Sequence, residues 1–423
     1  MNRIIFALLF SLYLPHFGFS QQILLLPDRI FDGIEMYESW SAIVEGEKIV
    51  KVGPTSELKK NFTGAIKELN GMTLMPGMIE GHSHILLHPY DETSWTDQVL
   101  KESIAERSVR AANHLKANLM AGFTTLRDLG SEGAGYADIG LKQAVEKGVI
   151  PGPRLLVAGP AIVVTGSYGP KGFAEHVQVP LGAIEADGVD GLIKEVRRQI
   201  GGGADVVKVY ADYRWGPFGQ AMPTFTVDEL KRVVAVASSS GRPVVAHAAT
   251  AEGMRRATLA GVQTIEHGDA GTQEVFELMA QEGVALCPTL AAGDAIMQYR
   301  GWNKGVDPDP ERIVNKKRSF KLALEAGVRI VAGGDVGVFT HGDNARELIM
   351  MVEYGMSELD VLQSVTSVNA NVLGLEGLGK VETGYWADLV AVKGNPLDDI
   401  NALKEVGFVM KNGDIISLKS FVK

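Results

Sequence analysis

Through the middle of this chain, eight short apolar runs alternate with longer stretches of helical character, and that alternation constrains the fold more than any other feature. The strand-like runs cover residues 73–79, 124–128, 154–158, 206–210, 244–247, 264–267, 285–288 and 329–333. Between them lie helical stretches that include 103–121, 184–200, 227–238, 252–260, 273–282 and 311–326. Thr226, followed by Asp228 and Glu229, predicts a capped start for one of them. Parallel strands need long crossovers, usually helices, and eight such units favour a (β/α)8 barrel over an open sheet. No glycine-rich phosphate fingerprint follows the first run, which argues against a dinucleotide-binding fold. We therefore expect an α/β chain whose barrel, a TIM barrel, spans 76–375.

The two ends read differently. Residues 23–26, 42–44, 48–52 and 72–75 near the start, and 389–392, 406–409 and 415–418 near the end, are short strand-like segments separated by turns. Lys411-Asn412-Gly413 supplies one such turn. Segments 21–75 and 376–423 are expected to build one small sheet domain from both chain ends. Ahead of them, Asn2 and Arg3 precede an apolar run over 4–14, with Gly18 and Ser20 beyond it. This predicts a signal peptide over 1–20, with a periplasmic or secreted mature protein; an uncleaved anchor is the alternative. The lone Cys287 forms no internal disulfide. A formal net charge of −10 argues against nucleic acid or an anionic membrane as the main partner. An acidic barrel of this size is expected to form a homo-oligomer.

In a barrel of this kind, chemistry gathers at the C-terminal ends of the strands. Six residues of metal-ligand type stand at or just after those ends: His82, His84, Lys208, His247, His267 and Asp335. His82 and His84 lie two apart, so on a strand both leave the same face and can chelate one cation. Lys208 sits inside the apolar run Asp205-Val206-Val207-Lys208-Val209-Tyr210. A buried ammonium there is costly and needs a carboxylate partner or a lowered pKa. One reading is a structural ion pair. The other is a neutral amine that adds carbon dioxide, or bicarbonate, to form a carbamate able to bridge two divalent cations. His247 and His267 each end an apolar run about twenty residues apart, and either alone reads as a core histidine. Imidazole nitrogens suit zinc and its neighbours in the first transition row. Asp335 follows Gly333-Gly334 at the last strand's mouth, where capping is the ordinary role of an aspartate.

Other candidates read as structural. Arg127 and Asp128 are expected to pair with one another, Cys287 to fill core space, and Arg346 to lie on a helix surface. His88, His114 and His176 have no strand-end placement. Ser83 lacks the partners of a serine triad.

Met75-Pro76-Gly77-Met78-Ile79-Glu80-Gly81-His82-Ser83-His84, Ala121-Gly122-Phe123-Thr124-Thr125-Leu126-Arg127-Asp128, Lys208-Val209-Tyr210 and Thr264-Ile265-Glu266-His267-Gly268 are followed by Gly333-Gly334-Asp335, His341-Gly342-Asp343-Asn344 and Gly384-Tyr385-Trp386-Ala387-Asp388-Leu389. In that order they resemble the amidohydrolase superfamily, in its branch of prolidase-like and related metal-dependent carboxypeptidases. The resemblance implies that His82, His84 and Asp335 bind one ion and His247 and His267 a second. It further implies that a carboxylated Lys208 and a water or hydroxide bridge the two, with zinc the expected metal, and that the two terminal segments pack as a small β-sandwich beside the barrel. It implies hydrolysis of the amide bond of dipeptides or N-acyl amino acids, with Asp335 carrying the proton. Tyr210, Arg214 and His341 are candidates to hold a substrate carboxylate. Ala249 stands where many relatives have a second histidine, and Gly334 where Thr or Ser is common. The alternatives are opening of a cyclic amide, deamination on the same scaffold, or a barrel without catalysis.

Overall fold

The computed structural model describes residues 21–417 apart from Glu175; the expected leader over 1–20 lies outside the described residues. No helix among the described residues is long and apolar enough to cross a membrane.

Both chain ends build one eight-stranded sheet. Its central strand, Ala65–Pro76, runs parallel to Ile23–Phe31 on one side and antiparallel to Leu389–Lys393 on the other. The strand run expected over 73–79 is therefore two strands. Ala65–Pro76 belongs to the terminal sheet, and Met78–Ser83 begins the α/β part. Gly77 makes the break: its amide bonds Asp388 O at 2.8 Å, and a Cβ there would fall 2.1 Å from Thr124 Oγ1. No residue but glycine fits that crossing.

The middle of the chain follows the expected alternation. Met78–Ser83, Phe123–Asp128 and Arg154–Val157 form a parallel three-stranded sheet. Val207–Tyr210, Val244–Thr250, Thr264–Ala270 and Ala285–Cys287 run parallel in a six-stranded sheet. That sheet also takes in Ile162–Val163 and Ile184–Glu185, which the sequence did not suggest. The helix expected over 184–200 accordingly starts later, as Gly188–Gly202, because its first residues pair as a strand. The helix Val227–Ser238 starts as predicted: Thr226 accepts from the Glu229 amide while the Glu229 side chain accepts from the Thr226 amide.

The last run, 329–333, is not a regular strand, yet it hydrogen-bonds on both sides. Leu286 N bonds Arg329 O at 2.9 Å and Val331 N bonds Leu286 O at 2.8 Å. On the other flank Gly81 N bonds Ala332 O and Asp335 N bonds His82 O, each at 2.9 Å. A Cβ on Gly81 would lie 2.7 Å from Ala332 O, so its absence lets the two backbones meet. One large apolar cluster, from Phe31 through Val409, fills the space between strands and helices. It leaves the C-terminal strand ends and the loops after them to shape a cavity.

Candidate active site

His82 and His84 project from the end of Met78–Ser83, a strand buried at every position. Each imidazole is oriented from behind. His82 Nδ1 lies 2.8 Å from Glu266 Oε2, and His84 Nδ1 lies 2.9 Å from the Gly130 carbonyl oxygen. Both contacts ask Nδ1 to donate, which leaves the Nε2 lone pairs free. Both Nε2 atoms face Asp335 Oδ1, at 3.7 Å from His82 and 3.3 Å from His84. That oxygen is buried without a hydrogen-bond partner. Ligand atoms of His82, His84 and Asp335 all lie within 4.8 Å of one another.

The other three expected residues surround this group. His267 lies 5.2 Å from the His82 ring and 4.4 Å from the His247 ring, centroid to centroid, and its Nδ1 meets Thr289 Oγ1 at 2.8 Å. Register sets His247 beside Tyr210, and the two rings stack at 4.5 Å and 15°. Burial holds His247 down at about 3, with the Lys208 charge adding to the effect, and holds His82 and His267 well below the usual imidazole range. The rings are therefore neutral, the state a metal requires.

Lys208 Nζ is buried with no hydrogen-bond partner. Burial lowers its ammonium pKa, while Glu266 and Asp335 oppose the shift. The structural ion pair considered for it does not form: Glu266 is taken by Arg127 at 3.1 Å and by His82. An orphaned amine and an orphaned carboxylate oxygen beside neutral imidazoles are costly in a sealed protein. The same set fits divalent cations well.

A second triplet, His82, Glu266 and Cys287, also has ligand atoms within 4.8 Å of one another. It supports the first instead of duplicating it. Glu266 is occupied by Arg127, Thr264 and His82, and burial pushes the Cys287 thiol well above its usual pKa. Cys287 fills core space, as expected.

A cavity of about 770 Å³ opens over this group. Tyr210 and Arg214 line it, together with His84, His247, His267 and Asp335. His341 does not. Its Nδ1 meets Asn118 Nδ2 and its Nε2 the Leu87 carbonyl oxygen, each at 3.0 Å, and it stacks on His114 at 4.2 Å. Two structural expectations are corrected. Arg127 bonds Gly81 O, Thr264 and Glu266, whereas Asp128 accepts the Ile85 amide, so they do not pair with each other. Arg346 is partly buried against Asp294, not free on a helix surface.

Sequence reasoning missed Glu132, Tyr168, Asp212 and Tyr213, all of which line the cavity. Backbone conformation marks part of the same wall. Seven described residues other than glycine have positive φ, and four of them, Glu132, His267, Thr289 and Asp335, line this cavity. Such strain persists only where surrounding structure enforces it, and it concentrates at functional sites.

The profile of the amidohydrolase family matches residues 73–416. The chain belongs to that family. Amidohydrolases use divalent metals on small-molecule substrates, and the buried His/Asp group accords with this. Among solved structures, a Xaa-Pro dipeptidase with methionine in its active site is similar at 30% identity and TM-score 0.82, covering 94% of this chain and 100% of that one. A prolidase complexed with N-methylphosphonate-L-proline is similar at 28% identity and TM-score 0.80, over 94% and 99%. Ochratoxinase from Aspergillus niger is 28% identical over 416 residues, 89% of this amidohydrolase and 82% of that protein. The relatives place this amidohydrolase in the prolidase-like branch, and the fold is of TIM-barrel type with parallel strands.

Proposed function

We propose that this metal-dependent amide hydrolase cleaves dipeptides or N-acyl amino acids with two divalent cations, zinc being the expected metal. The observation that carries the reading is the unpartnered Lys208 Nζ set among neutral histidines and the unpartnered Asp335 Oδ1. His82, His84 and Asp335 would hold one ion, and His247 and His267 the other. The ammonium of Lys208, its pKa lowered by burial, would give up one proton; the neutral amine would then add carbon dioxide and release a second, leaving a carbamate whose negative charge would help hold the cations. Bound there, the cations would supply the Lewis acidity that polarises a carbonyl and brings a water's pKa toward neutrality.

The chain's own residues supply the rest. The Asp335 carboxylate, which lies beside His82 and His84 and lines the cavity, would also take a proton from the attacking water and pass it to the leaving nitrogen. Glu266 and Gly130 O fix the orientation and tautomer of His82 and His84. Arg214 makes no ion pair among the described residues, and with Tyr210 it is placed on the cavity wall to receive a substrate carboxylate. His341, off the cavity, has no part in this.

The architecture belongs to the same reading. The bonds from Leu286 through 329–335 to His82 support a closed (β/α)8 barrel over 76–375. Residues of both chain ends share one apolar cluster, and Ile49 N bonds Tyr385 O at 3.0 Å, which supports a small sandwich of 21–75 with 376–423. Export with cleavage after Ser20 completes it, and N-terminal sequencing of the mature protein tests that.

The deciding experiment combines metal analysis with a screen of dipeptides and N-acyl amino acids. Wild type should hold about two ions per chain. Lys208→Ala should lose dinuclear binding and activity, with partial rescue by short carboxylic acids. Full activity of that variant without additive would remove the carbamate from the mechanism. Cyclic amides in the same screen test the alternative reaction.

A further inference from the structure

Glu132 is the cavity carboxylate that neither the metal group nor any salt bridge to lysine or arginine accounts for. It is 2% exposed and lies in a loop, not on a strand end. Its Oε2 accepts from Trp95 Nε1 and from the Tyr168 hydroxyl, each at 2.8 Å. The nearby Arg107 spends its guanidinium on backbone oxygens of Leu86, Glu132 and Ser131. The other two acidic side chains outside the metal group that line the cavity are already satisfied. Asp269 pairs with Lys316 and Arg312, and Asp212 accepts from the Ala249 and Thr250 amides and the Thr250 hydroxyl.

The surroundings of Glu132 suit a cation. Tyr168 packs on Trp95, Tyr210 and Tyr213 with ring centroids 5.2, 4.9 and 4.8 Å away. Aromatic faces beside a carboxylate attract an ammonium group through both their quadrupoles and its charge. Position then says which ammonium. Glu132 Oε1 lies 3.9 Å from His84 Nδ1, and the Nε2 of that same ring faces Asp335 at 3.3 Å. One imidazole therefore separates the Glu132 oxygen from the reacting centre. In an α-aminoacyl group a single Cα separates the ammonium nitrogen from the carbonyl carbon, about 2.5 Å. An ammonium held by Glu132 leaves the carbonyl beside Asp335.

We infer that Glu132 is a specificity residue that binds the α-ammonium of the substrate's acyl half, so that this enzyme selects dipeptides with a free amino terminus over N-acyl amino acids. The inference rests on the amide-hydrolase reading and narrows its substrate class. The left-handed backbone of Glu132, at φ 47°, is the strain expected where a side chain is aimed for a purpose.

The test compares alanyl and propionyl derivatives of one amino acid, which differ chiefly in the ammonium. With metal-loaded wild type, kcat/KM should favour the alanyl compound on the order of 10- to 100-fold, as charged hydrogen bonds predict. Glu132→Gln keeps an acceptor for Trp95 and Tyr168, and it should erase most of that preference, with alanyl turnover falling much further than propionyl turnover. Equal and measurable wild-type rates on the two compounds, or a parallel fall on both in the variant, would overturn the assignment. Equilibrium binding of both compounds to the metal-stripped protein gives the same comparison without turnover. A binding preference lost in Glu132→Gln, with neither compound cleaved at all by the metal-loaded wild type, would keep the ammonium site and sink the hydrolase reading instead. No binding preference in wild type would sink the ammonium site whatever the rates.

Discussion

Glu347, which is not among the expected metal ligands, carries a consequence of burial that can be measured. Its carboxyl is pushed up to about 8 by burial, although the Ala291 and Leu290 amides donate to it and pull the other way. A folded-state pKa above the unfolded one favours folding fully below the ordinary carboxylate range, and that contribution is lost as pH rises through about 8. The urea midpoint of Glu347→Gln relative to wild type should therefore shift in the variant's favour between pH 5 and pH 9. An unchanged difference at the two pH values contradicts the assignment. For Asp335→Asn we expect turnover to collapse by at least 100-fold, as for loss of an acid–base group, with much of the metal retained. Unchanged turnover removes its proton-carrying role. At this scale the six expected residues were legible because each interrupts or ends an apolar run. Glu132 was not legible: its partners Trp95 and Tyr168 lie 37 and 36 positions away, and nothing local marks it.

At the level of strands, the site depends on a buried arginine that ties one parallel sheet to the other. Arg127 joins Gly81 O, Thr264 and Glu266, and Glu266 in turn holds His82. Reading Arg127 as the neighbour's partner failed because adjacent residues on a strand point to opposite faces. Arg127→Met leaves Glu266 buried without its cation and should cost about 3–5 kcal/mol, read by urea unfolding. It should also loosen metal affinity through His82; a stability loss under about 1 kcal/mol would show that the pair contributes little. Strand boundaries were the weaker part of the reading. Gly77 divides one apolar run between two sheets, and Ile184–Glu185 pairs as a strand where helical character was expected. In both cases tertiary pairing overrides local preference.

Across the whole molecule, distant parts of the chain meet at the metal group: the opening histidines, the strands carrying Lys208, His247 and His267, and the segment ending in Asp335. Metal should therefore tie the fold together. Chelation should lower Tm by several degrees and zinc should restore it, since a ligand at 100 times its Kd stabilises by about 2.7 kcal/mol. A Tm indifferent to chelator, with metal loss verified, would place the ions elsewhere. The two chain ends join in the same way: Arg154 bonds Asn412 and Lys411 bonds Gly152 O, both at 2.7 Å, fixing the terminal sheet to the α/β part. The alternation of strands and helices, and the histidines at strand ends, were determined by sequence alone, because side-chain periodicity and backbone pairing are local physics. The choice of partners was left to tertiary structure. Among the described residues Lys208 is without a counter-ion, Glu132 faces an aromatic wall and His341 turns away from the cavity because burial and contact distance are set by residues tens to hundreds of positions apart.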